Sequence, residues 1–399
     1  MNYSTEIKFS IKILFYFFIL LLPFDNIISF LGVSIVTYVG FILMLSVLTN
    51  RALFLKSNSI FKLLLVVFSI GTLVDLGVFY DSKIGLNELI RYLMLFVLML
   101  ISYSLAIRGK LITIIWVVYA STIILLLYQL FSSIDLNNID YFSYTNSETR
   151  MTTLGNDPNF VACYLSLGMI MSIYLLLKEI PAPKKMWNLS LLLIPSFMFG
   201  IINTGSRGIL VALFFGILSI VLTKKDIKNQ LLYTVFIAIL IGFGSYLVLL
   251  DESFKIRLLS TYLDGDLAGR ERIWQKAWEL SSDSPFFGLG HYGYLSELGF
   301  TTSGSGSTAT HNIFLSTLLA TGWTGIIFFL IFNYYILKSV WKYRVYPFGN
   351  FLFTAFIVCL LSAQSINLEI TKWYWVILAL SASLKYNHSY LIDSKDALK

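Results

Sequence analysis

Apolar residues in this chain run on continuously for close to twenty positions at a time, interrupted by short clusters of Lys, Arg, Gly, Pro and Asn. Helices of that length cross the roughly 30 Å hydrocarbon core of a bilayer, and a helix satisfies its own backbone there. The pattern predicts helices at about 11–31, 33–49, 60–80, 88–107, 111–131, 157–177, 187–203, 208–223, 230–250, 311–338, 348–366 and 371–386, twelve in all. Between the ninth and tenth, residues 251–310 stay largely polar over a length no simple turn requires. The expected organisation is one all-α membrane domain over 1–399, with 251–310 as a large outer loop carrying part of any site.

Composition sharpens this picture. Only 13% of residues are charged against 57% hydrophobic, which leaves too little polar surface for a soluble enzyme on an anchor. An outer-membrane barrel would show alternation over about ten residues, and these runs do not alternate. The first run begins near Ile11 and lacks a small-residue cleavage site, so it is expected to be a retained helix. The net charge of +7 does not call for nucleic acid, because most of the 29 Lys and Arg sit in segments that share one side when the N-terminus is cytoplasmic. That orientation puts both termini inside and the segments 132–156, 203–207 and 251–310 outside. Cys163 and Cys359 lie within apolar runs, where neither is expected to meet a partner, and no metal or cofactor is expected.

Candidate chemistry therefore concentrates on the outer segments. The turn Asn203-Thr204-Gly205-Ser206-Arg207-Gly208 opens a helix whose N-terminal amides favour an anion. Arg207 adds a fork for phosphate oxygens, or alternatively snorkels to a lipid headgroup. In Gly269-Arg270-Glu271-Arg272-Ile273-Trp274, residues Leu267, Ile273, Trp274, Ala277 and Trp278 form one apolar stripe of a short interfacial helix. Arg270 there could grip a diphosphate at the membrane surface, with Arg272 either its helper or the partner of a neighbouring carboxylate, and the tryptophans suit interfacial anchors. His311 opens an apolar run after Thr310, which could cap that helix; an imidazole there suits general base or structural hydrogen bonder. Asn312 would orient it or cap the helix. In Arg150-Met151-Thr152-Thr153-Leu154-Gly155-Asn156-Asp157-Pro158-Asn159, Asp157 and Pro158 read as N-cap and first helical position. Arg150 and Asn159 remain for a polar cleft or a solvated loop.

Taken in order, Asn-Asp-Pro-Asn, Thr-Gly-Ser-Arg-Gly, Gly-Arg-x-x-x-Trp, Ser-Pro-x-x-Gly-x-Gly, and His-Asn-x-x-Leu with Gly322 and Gly325 downstream resemble the O-antigen polymerase and ligase superfamily. The motifs cover about 150–330. The resemblance implies a metal-independent, cofactor-free inverting glycosyltransferase of GT-C type in a bacterial inner membrane, its site facing the periplasm. Its donor would be a glycan on undecaprenyl diphosphate, and a chain-length regulator is a further partner the family admits. Arg207 and Arg270 would match the arginines that hold the diphosphate, and His311 the histidine that activates the acceptor hydroxyl. Arg272, Arg150, Asn159, Asn312 and Trp274 would line the substrate. Two departures stand out: no second histidine lies close to His311 as in some ligases, which leans toward a polymerase, and Arg272 rivals Arg270. A transporter or flippase is the alternative from another class, and for it Asp75 is the main intramembrane charge.

Overall fold

The computed structural model describes residues 7–25, 29–30, 33–48, 59–78, 82–134, 157–223, 227–250, 252–264, 269–303 and 308–387. Arg150, Leu267, most of the loop 132–156 and the Ser-Gly tract at 304–307 lie outside them. In chain order the helices are α1 (Phe9–Leu21), α2 (Ile35–Leu48), α3 (Ser59–Val78), α4 (Ser82–Leu105), α5 (Leu111–Ile134), α6 (Pro158–Leu176), α7 (Lys184–Asn203) and α8 (Arg207–Leu222). They continue as α9 (Ile227–Leu250), α10 (Glu252–Asp264), α11 (Arg270–Leu280), α12 (His291–Ser303), α13 (Ile313–Tyr343), α14 (Pro347–Ser362) and α15 (Lys372–Ser383). Each of the twelve apolar runs carries a helix, and α10, α11 and α12 occupy the polar stretch. A two-residue antiparallel pair, Ser29–Phe30 with Val33–Ser34, closes the α1–α2 turn. Among the described residues, five helical segments are long and apolar enough to cross a membrane, with four shorter apolar helices beside them.

Burial separates the centre of the bundle from its rim. α6 packs against α5, α7, α8 and α14, and 89% of its apolar window is buried against 17% for α9. On α9, Leu231, Val235, Ile239 and Leu249 stay exposed, the signature of a helix whose outer face meets lipid. Many buried hydroxyls bond carbonyls of their own helix, as Ser102 does with Leu98 and Ser166 with Ala162, and some bond across helices: Tyr174 on α6 pairs with Thr354 on α14 at 2.9 Å, and Thr354 with Ser219 on α8 at 3.1 Å. Cys163 on α6 and Cys359 on α14 also face each other as hydrogen-bonded free thiols. The expectation that neither meets a partner was therefore wrong; hydropathy gives no information on which helices become neighbours.

The Ser-Pro-x-x-Gly-x-Gly segment performs a backbone task. α13 breaks at Gly322, whose φ of 65° and ψ of −168° leave the helical region and free backbone groups on both sides. The 284–290 segment takes them up: Leu289 and Gly290 donate to the carbonyls of Leu319 (2.7 Å) and Ala320 (3.1 Å), while Trp323 and Thr324 donate to Pro285 (2.7 Å) and Phe286 (3.3 Å). A broken helix in an apolar setting needs such replacement partners. The approach is close enough to demand glycine. A Cβ on Gly288, at φ +74°, would lie 2.5 Å from backbone atoms of Leu319, Ala320 and Thr321. Gly288→Ala should accordingly destabilise the fold by on the order of 3 kcal/mol, from a left-handed non-glycine residue plus overpacking. An unchanged unfolding midpoint in detergent would show that the segment does not dock this way.

Helix α12 is held by a carboxylate from far away in the chain. Asp75 on α3, fully buried, accepts the backbone N–H groups of His291 (2.9 Å), Tyr292 (3.0 Å) and Gly293 (3.4 Å). It is an N-cap supplied in trans, carrying negative charge to the positive end of the helix dipole. The residue named above as a transporter's charge thus has a complete structural account. Asp75→Ala leaves three buried donors unmet and should cost about 1–3 kcal/mol, seen as loss of protection from proteolysis across 290–303.

Candidate functional site

Two turns named by the motifs meet a third, residues 363–367 between α14 and α15, and helix α11 is tied to one of them. The first joins α7 to α8. Its Ser206 does not cap α8 with its side chain; the hydroxyl instead donates to Asn159 Oδ1 at 2.7 Å. Asn159, buried at the start of α6, donates through both backbone N and Nδ2 to Asp157 Oδ1, at 2.7 and 2.9 Å. The Asn-Asp-Pro-Asn and Thr-Gly-Ser-Arg-Gly motifs are thereby bonded to each other. Gly208 lies against Ser365, whose hydroxyl a Cβ there would meet at 2.8 Å.

The second arm is the segment before α13. Asn312 caps α13 through Oδ1, accepting from Phe314 (2.9 Å) and Leu315 (3.2 Å). Its own amide donates to Asn367 Oδ1 at 3.0 Å, and Ile313 donates to the Ala363 carbonyl at 2.9 Å. Thr310, expected to be the cap, instead hydrogen-bonds the Asn312 carbonyl (2.9 Å) and Asn367 (3.4 Å). The helix starts two residues later than a Thr310 cap would place it, and asparagine's Oδ1 then reaches the first-turn amides. His311 sits half-buried between these anchored neighbours with φ at +50°, a region that non-glycine residues rarely occupy and that costs on the order of 1 kcal/mol.

The third arm is α11. Its Trp274 indole donates to the Thr310 carbonyl at 2.9 Å, tying the helix to the residue before His311. Arg270 precedes Trp274 by four residues and so shares its face. The predicted stripe is present, but it turns largely inward: Ile273, Ala277 and Leu280 pack with Tyr294 and Leu298 of α12 and Leu319 and Ala320 of α13. Trp278 remains exposed and meets Trp323 edge-on, their centroids 6.3 Å apart.

Between α7, α8, α9 and α10 runs a groove of about 660 Å³. Its walls are apolar, formed by Met198, Ile202, Leu210, Leu213, Phe214, Ile217, Leu240, Ile241, Val248, Phe254 and Leu258. Arg207 and Arg270 both border it, none of the residues lining it is acidic, and the Arg207 guanidinium bonds Thr261 Oγ1 on α10. Arg272 is exposed; two residues along a helix is about 200° of rotation, so it faces away from Arg270. His311 does not line the groove; the residue before it, Thr310, bonds Trp274, one turn along α11 from Arg270. The arrangement sets Arg207 and Arg270 on one groove, uses Asn159 and Asn312 as structural bonds, and leaves Arg272 outside.

Residues 188–330 match the O-antigen ligase family. The O-antigen ligase match spans α7 to the middle of α13 and takes in Arg207, Arg270, Trp274, His311, Asn312 and Gly322. It supports the O-antigen ligase and polymerase superfamily without dividing the two. No curated protein matches the chain. Asn159 and the 363–367 turn fall outside the matched stretch, yet they complete the frame that holds it. The pieces that sequence reasoning missed carry no motif and became visible only through their contacts: Thr261 with Arg207, Ser365 against Gly208, Asn367 with Asn312, Gln364 accepting from the Asn312 side-chain amide at 3.4 Å, and Tyr294 accepting from that of Asn367 at 3.3 Å.

Proposed function

We propose that this protein is an inner-membrane glycosyltransferase with twelve spans, both termini cytoplasmic, that polymerises undecaprenyl-diphosphate-linked oligosaccharide repeats into surface polysaccharide. The observation carrying the proposal is the groove: an apolar channel of about 660 Å³ bordered by two arginines from different helices. An isoprenoid diphosphate has that same division, hydrocarbon at one end and concentrated negative charge at the other.

In this reading Arg207 and Arg270 bind the diphosphate and stabilise the charge that grows on it as the anomeric C–O bond breaks. The acceptor hydroxyl attacks from the opposite face, its proton passing to His311, and the configuration inverts. Trp274 and the Asn312 cap keep the histidine segment against α11, Asn159 braces the Arg207 turn, and Arg272 and Arg150 serve the glycan from the outer loops. No metal or cofactor enters the scheme.

The description of the matched family favours a second reading, ligation of the glycan to lipid A-core. One experiment separates them. Purified protein in proteoliposomes with a lipid-linked repeat as sole substrate should yield a ladder of products. Transfer seen only after adding lipid A-core would establish the ligase reading in its place, and neither product under either condition would remove glycosyl transfer.

A further inference from the structure

Two buried polar atoms on different elements lack hydrogen-bond partners and belong to residues that border the same small cavity. They are Nε2 of His291, the first residue of α12, and Oε2 of Glu369, in the turn between α14 and α15. The residues are only 7% and 8% exposed. The cavity measures about 10 Å³ and is also lined by Val67, Phe68, Tyr92, Phe329 and Trp375 and by the hydroxyl-bearing Tyr294, Ser316 and Thr317. The Tyr92 ring lies over the imidazole, centroids 3.9 Å apart, and fixes its plane. A space of this size holds about one water, which needs two or more polar partners, and an unmet buried donor or acceptor is unfavourable.

We propose that one water molecule bridges His291 Nε2 to Glu369 Oε2, with Glu369 holding the proton as a neutral acid beside a neutral imidazole, so that the bridge clamps α12 to the turn behind His311. The inference stands independently of the glycosyl-transfer proposal. Its place explains its use: Glu369 follows two residues after Asn367, which holds the backbone of Asn312.

Burial pushes the Glu369 carboxyl up to about 7, partly opposed by Ser316. Burial pulls His291 down to about 3, aided by Arg91. The other charged or titratable groups facing the pair are Asp75 from α3, Tyr92 from α4, Tyr294 from α12 and Tyr374 from α15. The signs are opposite. Folded Glu369 keeps a proton that the unfolded chain loses above 4.5, so its contribution falls as pH rises from there to about 7. Folded His291 refuses a proton that the unfolded chain takes below 6.5, so its contribution rises with pH from about 3 to 6.5. Between 4.5 and 6.5 the two cancel in the intact pair.

Equilibrium unfolding of the full chain in mixed micelles tests this. Across that window Glu369→Gln should gain stability relative to wild type by tenfold in the unfolding constant per pH unit, and His291→Gln should lose it at the same rate. The double variant should run parallel to wild type. Infrared difference spectra of wild type at about pH 6 should show a protonated carboxyl and a bound-water stretch that moves in H2(18)O, a readout that survives failure of a variant to fold. Single variants parallel to wild type, or spectra lacking either band, would overturn the bridge.

Discussion

Replacing His311 by alanine should lower glycan transfer by roughly 10²–10⁴-fold, the range that general base catalysis supplies. The protein should still insert and still bind lipid diphosphate. The separation follows from the architecture, because the arginines border the groove and His311 does not, and its neighbours Thr310 and Asn312 are bonded through their backbones to Trp274 and Asn367. The substituted side chain is half-buried, and alanine at φ +50° adds no more backbone strain than histidine already bears. A tenfold loss or less in kcat, with folding intact, would remove His311 from the base role.

Arg270→Ala should cost roughly 10²–10³-fold in kcat, about 3–4 kcal/mol, as for loss of one preorganised donor to a leaving group's developing charge. Arg272→Ala should stay within a few-fold. Two arginines two positions apart on a helix present opposite faces, and of this pair only Arg270 borders the groove. Arg270→Lys should recover part of the loss, since lysine restores charge but not the two-pronged fork. Equal losses in Arg270→Ala and Arg272→Ala would mean that the diphosphate lies over the outer face of α11 and not in the groove.

Much of the fold was legible from hydropathy because a bilayer imposes a length and a polarity on each crossing helix. Arg207 at the head of α8, Asp157 with Pro158 opening α6, and the short amphipathic α11 follow from signals confined to a few residues. What escaped depends on partners distant in sequence. Asp75 caps a helix 216 positions away, and nothing near Asp75 reveals it. The glycines of Ser-Pro-x-x-Gly-x-Gly carry no sign of what they meet: Gly288 lies against the 319–321 backbone just before the break at Gly322, and Gly290 against Asp75. Asn367 holds both Thr310 and Asn312 from a turn whose composition is unremarkable. The inward packing of α11 was missed because an amphipathic stripe looks the same whether it meets lipid or protein.

On the proposed reading, Arg207 and Arg270 form the charged end of a groove that takes a lipid diphosphate. A cryo-EM map of the protein in nanodiscs with undecaprenyl diphosphate tests it most directly. The account predicts diphosphate density between the two guanidinium groups and the first isoprenes lying along α8, α9 and α10. Diphosphate density elsewhere, with the groove filled by bilayer lipid, would contradict it.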